Sequence, residues 1–185
     1  LAVGTYLLTL SNTVTNACDS VFSFTITEPT ALSITGGQSD PTCVGLLDGV
    51  TNVTVSGDVS GYTYLWSDPS SQTTAAATGL ADGNYVVTVT GNNGTGCSKT
   101  EAFTLTDPSS VTATVSVIED VLCFGESTGS ASVSENGGTV GTGYTYLWSD
   151  GAAQTTATAI NLSIGNYTVT VFDGNGCSGT DAVTI

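Results

Sequence analysis

Histidine, arginine and methionine are absent from this chain, and a single lysine, Lys99, faces sixteen acidic residues, leaving a formal charge of −15 over 185 residues. Binding a nucleic-acid backbone requires cationic side chains that displace condensed counterions, so the composition excludes a nucleic-acid ligand. Anionic lipid surfaces are disfavoured for the same reason, and no run approaches the roughly 20 apolar residues that span a bilayer, so membrane insertion is not expected. Without His or Arg, acid–base or nucleophilic catalysis would rest on carboxylate pairs or an unaided serine. The pair Glu119-Asp120 falls beside a turn and reads as solvated. No Gly-x-Ser-x-Gly elbow, phosphate loop or zinc motif occurs, and the chain is expected not to be an enzyme. No initiator Met, signal peptide or targeting tail is visible, so a segment from the interior of a longer or processed protein is expected.

What is present is a folded, uncharged surface and a repeat. Charged residues make up only 9% and hydrophobic residues 39%, unlike a disordered acidic tail. The segment Gly-Tyr-Thr-Tyr-Leu-Trp-Ser-Asp occurs at 61–68 and again at 143–150. Around it Cys43, Tyr62, Trp66, Tyr85 and Cys97 recur as Cys123, Tyr144, Trp148, Tyr167 and Cys177, at offsets of 80 to 82. A partial third copy opens the chain, where Leu1, Gly4, Tyr6 and Cys18 align with Leu80, Gly83, Tyr85 and Cys97. The expected division is 1–29 as the C-terminal part of a preceding repeat, 30–108 as one repeat and 109–185 as another. The short joints Thr27-Glu28-Pro29-Thr30 and Thr106-Asp107-Pro108-Ser109 are stiffened by proline, which predicts a semi-rigid rod.

Apolar residues alternate with period two, as in Tyr85-Val-Val-Thr-Val89 and Tyr167-Thr-Val-Thr-Val171, and no stretch keeps a helical period. Strands are predicted over 31–36, 49–56, 61–67, 73–78, 84–90 and 97–106, and over 111–118, 129–134, 143–149, 155–160, 166–172 and 177–185. Turn clusters such as Asp82-Gly-Asn84 and Asp173-Gly-Asn-Gly176 separate them. Six short strands per unit predict an all-β fold of tandem immunoglobulin-like β-sandwiches. Leu-x-x-Gly-x-Tyr at Leu80, Gly83 and Tyr85, and at Leu162, Gly165 and Tyr167, has the form of a tyrosine corner. Trp66 and Trp148 are predicted to plug the core between the sheets, joined there by Tyr62, Tyr85, Tyr144 and Tyr167.

Each complete unit holds one cysteine pair, Cys43 with Cys97 and Cys123 with Cys177, and both spacings equal 54. A spacing preserved despite compensating shifts on either side of the Trp strand predicts one disulfide per complete unit, Cys43–Cys97 and Cys123–Cys177. Cys18 is then expected to pair with a residue upstream. There is no Cys-x-x-Cys and no His to share a metal, so metal-bound thiols are disfavoured, and disulfides imply an oxidising, extracytoplasmic setting.

The order carried by Cys123, Gly125, Tyr144, Tyr146, Trp148, Ser149, Gly151, Leu162, Gly165, Tyr167, Val169, Val171, Asp173, Gly176 and Cys177 resembles the SprB-type repeat of Bacteroidetes cell-surface proteins. The first unit departs from it with Asp68-Pro69 after the Trp strand and Gly91 to Gly96 before Cys97. The resemblance implies a secreted adhesin at the cell surface, part of a long filament, with gliding motility in some members. Neighbouring repeats of the same protein and a surface polysaccharide or substratum are the expected partners, and edge strands rich in Thr and Val could accept another chain, which leaves self-assembly into filaments open. A glycan-binding array and a non-catalytic spacer of a secreted enzyme are the competing readings.

No cofactor is expected. Asp173-Gly-Asn-Gly176 offers a carboxylate and a carbonyl to Ca2+, but it lacks the acid ladder of a calcium loop, and a hairpin turn accounts for Asn-Gly without a metal. Tyr62, Tyr64 and Trp66 could form a sugar platform, yet they share a face with the predicted core. Sequons at Asn52, Asn93, Asn161 and Asn166, and the short pattern Asp19-Ser-Val21, mark candidate glycosylation positions.

Overall fold

A computed structural model describes residues 1–11, 20–57, 61–92, 96–141 and 143–185. Cys18, Asn93 and Asp19 lie outside the described residues. The elements are all strands: β1 (Gly4–Leu10), β2 (Ser20–Ile26), β3 (Ser33–Ser39), β4 (Gly49–Ser56), β5 (Tyr62–Trp66), β6 (Ala76–Leu80), β7 (Gly83–Gly91), β8 (Ser98–Leu105), β9 (Thr112–Glu119), β10 (Gly129–Asn136), β11 (Thr145–Trp148), β12 (Thr158–Leu162), β13 (Asn166–Phe172) and β14 (Ser178–Thr184). Among the described residues no helix is long and apolar enough to cross a membrane.

Twelve of these strands form two six-stranded β-sandwiches of the same plan. In the first, a three-stranded sheet β3-β4-β6 faces a second, β5-β7-β8; in the other, β9-β10-β12 faces β11-β13-β14. All pairings are antiparallel. The first, second and fourth strands of each unit thus share one sheet, and the third, fifth and sixth share the other. This is the immunoglobulin-like arrangement, in which crossing connections close the core from both ends.

The period-two pattern explains which side chains enter. On β7, Tyr85, Val87 and Val89 face inward while Asn84 and Val86 are exposed. The core of the first sandwich gathers these with Ile34, Val53, Trp66, Ala77, Leu80, Phe103 and Leu105, and the second gathers Val111, Ala131, Val133, Trp148, Ala159, Leu162, Val169, Val171 and Ile185. Trp66 and Trp148 are each only 1% exposed, and each indole N–H donates 2.9 Å to a backbone carbonyl, of Thr74 and Thr156 respectively. Burying so large a ring is favourable only when its one polar hydrogen finds an acceptor.

β1 and β2 form a two-stranded antiparallel sheet whose register, Gly4 opposite Ile26, matches Gly83 opposite Leu105 in β7-β8. Three tyrosines hold the corner before the fifth strand. Tyr6 donates to the Ala2 carbonyl at 2.7 Å, Tyr85 to Ala81 at 3.2 Å and Tyr167 to Ser163 at 3.0 Å, each reaching back four residues.

Candidate functional site

The structure corrects the expected cysteine pairing. Among the described residues a disulfide joins Cys43 to Cys177, with Cα atoms 5.5 Å apart and a sequence separation of 134, and so links the two sandwiches instead of closing either one. Cys97 and Cys123 are outside this bond and exposed. The strand registers explain why Cys43–Cys97 and Cys123–Cys177 do not form. The β3-β4 loop carrying Cys43 lies where β8 ends: Gly49 abuts Leu80 and Leu105, and Thr106 donates to Asp40 at 3.0 Å. Cys97 sits at the far tip of the β7-β8 hairpin, beyond the Thr90–Ser98 pair, while the near end of that hairpin is the Gly83–Leu105 pair. Eight residues of strand at about 3.3 Å each separate the two by roughly 26 Å, against a Cα separation below about 7 Å for a disulfide. The same distance divides Cys123 from Cys177 in the second unit.

Stacking one sandwich on the next brings opposite ends together, which is how a loop cysteine of the first meets a hairpin cysteine of the second. Thr42 lies against the same hairpin: its carbonyl accepts from the Asn175 side chain at 3.4 Å, and it stands 3.1 Å from the Cys177 sulfur. A disulfide sulfur carries no proton, so the second approach is a contact and no hydrogen bond. Between the units Asp107 of the linker accepts from the Gly45 N–H at 2.8 Å, which fixes the linker to the Cys43 loop. A cleft of about 330 Å³ opens beside the bond, lined by Val44 and Leu46 from one unit and Ser109, Val111 and Gly176 from the linker and the other.

Local chemistry sets the shape of both cysteine-bearing turns. Leu46 N–H donates to the Cys43 carbonyl at 3.1 Å, and Gly45 between them has a φ of 74°, a conformation that favours glycine. On the other side Asp173, 6% exposed, accepts from the N–H groups of Cys177 at 2.8 Å, Asn175 at 2.9 Å and Thr139 at 2.7 Å. The Thr139 N–H, opposed by burial and assisted by Cys177 and Asn175, holds the Asp173 carboxyl below its ordinary value. These three backbone donors account for Asp173 without a metal, and they tie the Cys177 hairpin to the turn before β11. Asp173 is therefore a positioning residue for the cross-link.

The repeated Trp-Ser-Asp segment builds a second polar cluster, in both units alike. Asp68 accepts from Gln72 N–H at 2.9 Å, Gln72 Nε2 at 3.1 Å and Ser70 N–H at 3.1 Å; Asp150 accepts from Gln154 N–H and Nε2, both at 2.9 Å, and Ala152 N–H at 3.2 Å. Gln72 also bridges to both backbone groups of Thr78, and Gln154 to both of Ile160. Burial pushes the Asp68 and Asp150 carboxyls up, but the Gln and turn N–H donors together outweigh it and hold both below the ordinary value. Gln72 and Gln154 belong to none of the motifs singled out above; their recurrence four residues after Asp68 and Asp150 is the signal in the sequence that marks them. The cluster clasps the turn to the next strand.

Tyr85 is buried at 9% exposure, and Tyr62, Tyr64, Tyr144 and Tyr167 are half-buried and packed on the two cores. That location takes Tyr62, Tyr64 and Trp66 away from a sugar platform. Glu119 and Asp120 are exposed beside the Cys123 turn. Asn52, Asn161 and Asn166 are also exposed. Among the described residues no three His, Cys, Asp or Glu side chains cluster as a metal site would require.

A family model of the SprB repeat matches residues 32–71 and 110–153, two regions that run from before each loop cysteine to the turn after each Trp. No curated protein matches the chain. Among solved structures, the chain is similar to one explaining Dscam isoform specificity, at 11% identity and a TM-score of 0.34, over 90% of this chain and 50% of that one. It is also similar to a C-terminal 282-residue fragment of intimin bound to the intimin-binding domain of its translocated receptor, at 13% identity and a TM-score of 0.37, over 85% of this chain and 64% of that one. A two-domain fibronectin type-III segment of chicken tenascin is similar at 16% identity and a TM-score of 0.29, over 85% and 99%. The chain thus spans half of the first and under two thirds of the second.

Proposed function

We propose, from the premise that two regions of this chain match the SprB repeat, that it is a length of the shaft of an extracellular cell-surface adhesin, with residues 30–108 and 109–185 as its repeat units and 1–29 as part of a preceding one. The observation that carries the reading is the Cys43–Cys177 bond, which fastens one sandwich to the next. A bond so placed adds little to either core and much to the continuity of the rod. It also supports an oxidising location outside the cytoplasm. The acidic, hydroxyl-rich surface suits a filament that must stay soluble and apart from its neighbours. No catalytic role is assigned to it.

Immunogold labelling of intact cells with an antibody raised against this chain tests the reading. Label along filaments projecting from the surface is the expected result, and label reached only after permeabilisation would defeat it. Adhesion to a substratum and participation in gliding are finer parts of the proposal. They predict that cells lacking the repeats attach and spread less than their parent.

A further inference from the structure

Cys123 is presented by the same turn as Cys43. Glu126 N–H donates to the Cys123 carbonyl at 3.1 Å, as Leu46 does to Cys43, and Gly125 has a φ of 88° where Gly45 has 74°. Both turns lie between the first two strands of their unit and at the end where its last strand finishes, with Gly129 against Leu162 and Ile185 as Gly49 is against Leu80 and Leu105. What differs is what covers them. Cys43 is half-buried against the β13-β14 hairpin of the next sandwich, and Val44 beside it lines the cleft there. Cys123 is exposed, between Leu122 at 73% and Phe124 at 99% exposure. Phe124 holds the place of Val44, which lines the cleft and is 52% exposed, whereas Phe124 is open to solvent almost entirely.

We propose that Cys123, with Leu122 and Phe124, is a docking and cross-linking site for the hairpin of a following repeat, and that the loop cysteine of each repeat bonds the hairpin cysteine of its successor. The partner is an SprB-type repeat presenting a cysteine in the place of Cys177. Consecutive junctions would each carry one such staple, so that the rod is covalently continuous through its side chains as well as its backbone. The bond forms by thiol–disulfide exchange. The Cys123 thiolate attacks a small-molecule disulfide and releases one thiol, and the hairpin thiolate then displaces the second, so two protein thiols are oxidised to a disulfide as one disulfide is reduced to two thiols. The inference rests on the tandem-repeat reading above, but its test reads bonds directly and is independent of where the protein resides or what it adheres to.

The test uses the full chain extended after Ile185 by a second copy of residues 106–185 that carries Cys123→Ser and Ser178→Thr, so that Cys123 is unique and the appended hairpin peptide differs in mass from the original. The protein is oxidised with glutathione disulfide, alkylated, digested without reduction and examined by mass spectrometry. The expected products are a peptide joining Cys123 to the appended copy of Cys177 and the original Cys43–Cys177 peptide. Cys123→Ser in the original repeat should convert the appended Cys177 thiol from protected to fully alkylated while leaving Cys43–Cys177 intact. Persistent alkylation of Cys123 in the extended chain would overturn the proposal. So would replacement of the Cys43–Cys177 peptide by Cys43–Cys97 or Cys123–Cys177.

Discussion

At the scale of single residues, the two units solve one packing problem in two ways. In the first, Phe103 lies 5.8 Å from Trp66, centroid to centroid, and a Cβ on Gly36 would fall on the Phe103 ring. In the second, the registers put Val115 in the place of Gly36, opposite Val133, and Val183 in the place of Phe103, opposite Tyr167. A small residue facing a large one has been exchanged for two of middle size, which conserves the filled volume. Gly36→Val alone should therefore overpack the first core and cost about 1 to 3 kcal/mol, with most of the loss recovered when Phe103→Val is added. Urea unfolding of the two single variants and the double variant gives the coupling, and strictly additive losses would contradict the exchange. Trp66→Ala and Trp148→Ala remove the largest buried side chains and strand the Thr74 or Thr156 carbonyl. Each should cost about 3 to 5 kcal/mol, read from the same unfolding curves.

At the scale of elements, the turns are held by carboxylates, and this makes them sensitive to acid. Asp68, Asp150 and Asp173 titrate below their ordinary value in the folded chain, whereas in the unfolded chain an Asp titrates near about 3.9. Below that value the unfolded state binds more protons. The stabilisation from each turn is then complete above pH about 4 and is lost as the pH falls through the lower folded values. Relief of repulsion among sixteen acidic residues acts in the opposite direction over the same range, so a comparison of variants isolates the local effect. The stability difference between the parent and Asp68→Asn, from urea unfolding at a series of pH values, should be constant from pH 7 to about 5 and shrink below about 4. A difference unchanged down to pH 2 would show that the ionised Asp68 is not what holds the turn.

At the scale of the whole molecule, the cross-link decides how the chain carries load. Tension entering before Cys43 and leaving after Cys177 passes through the sulfur atoms, and the 134-residue stretch between them is shielded. At about 3.4 Å per residue that stretch would otherwise release roughly 450 Å of length. Single-molecule pulling should show that release only under a reducing agent; full extension of both sandwiches under oxidising conditions would refute the shielded path. The same closed loop should stabilise the chain by about 5 kcal/mol in the chain-entropy account, shared between two sandwiches rather than held by one.

The sequence by itself determined the strands, their faces and the repeat, because side-chain alternation and turn chemistry are local. The predicted 49–56 and 166–172 coincide with Gly49–Ser56 and Asn166–Phe172. The strand predicted at 155–160 begins later, at Thr158, because the Thr156 carbonyl is taken by the Trp148 indole and the Thr156 hydroxyl bonds the Thr158 carbonyl. The partner of Cys43 was decided only by the tertiary structure. An equal spacing of 54 residues in both units records that the two cysteines keep fixed places in the fold, and equal spacing results whether those places are adjacent or at opposite ends. Sheet register puts them at opposite ends, and stacking of consecutive sandwiches brings each end to its counterpart in the neighbouring unit.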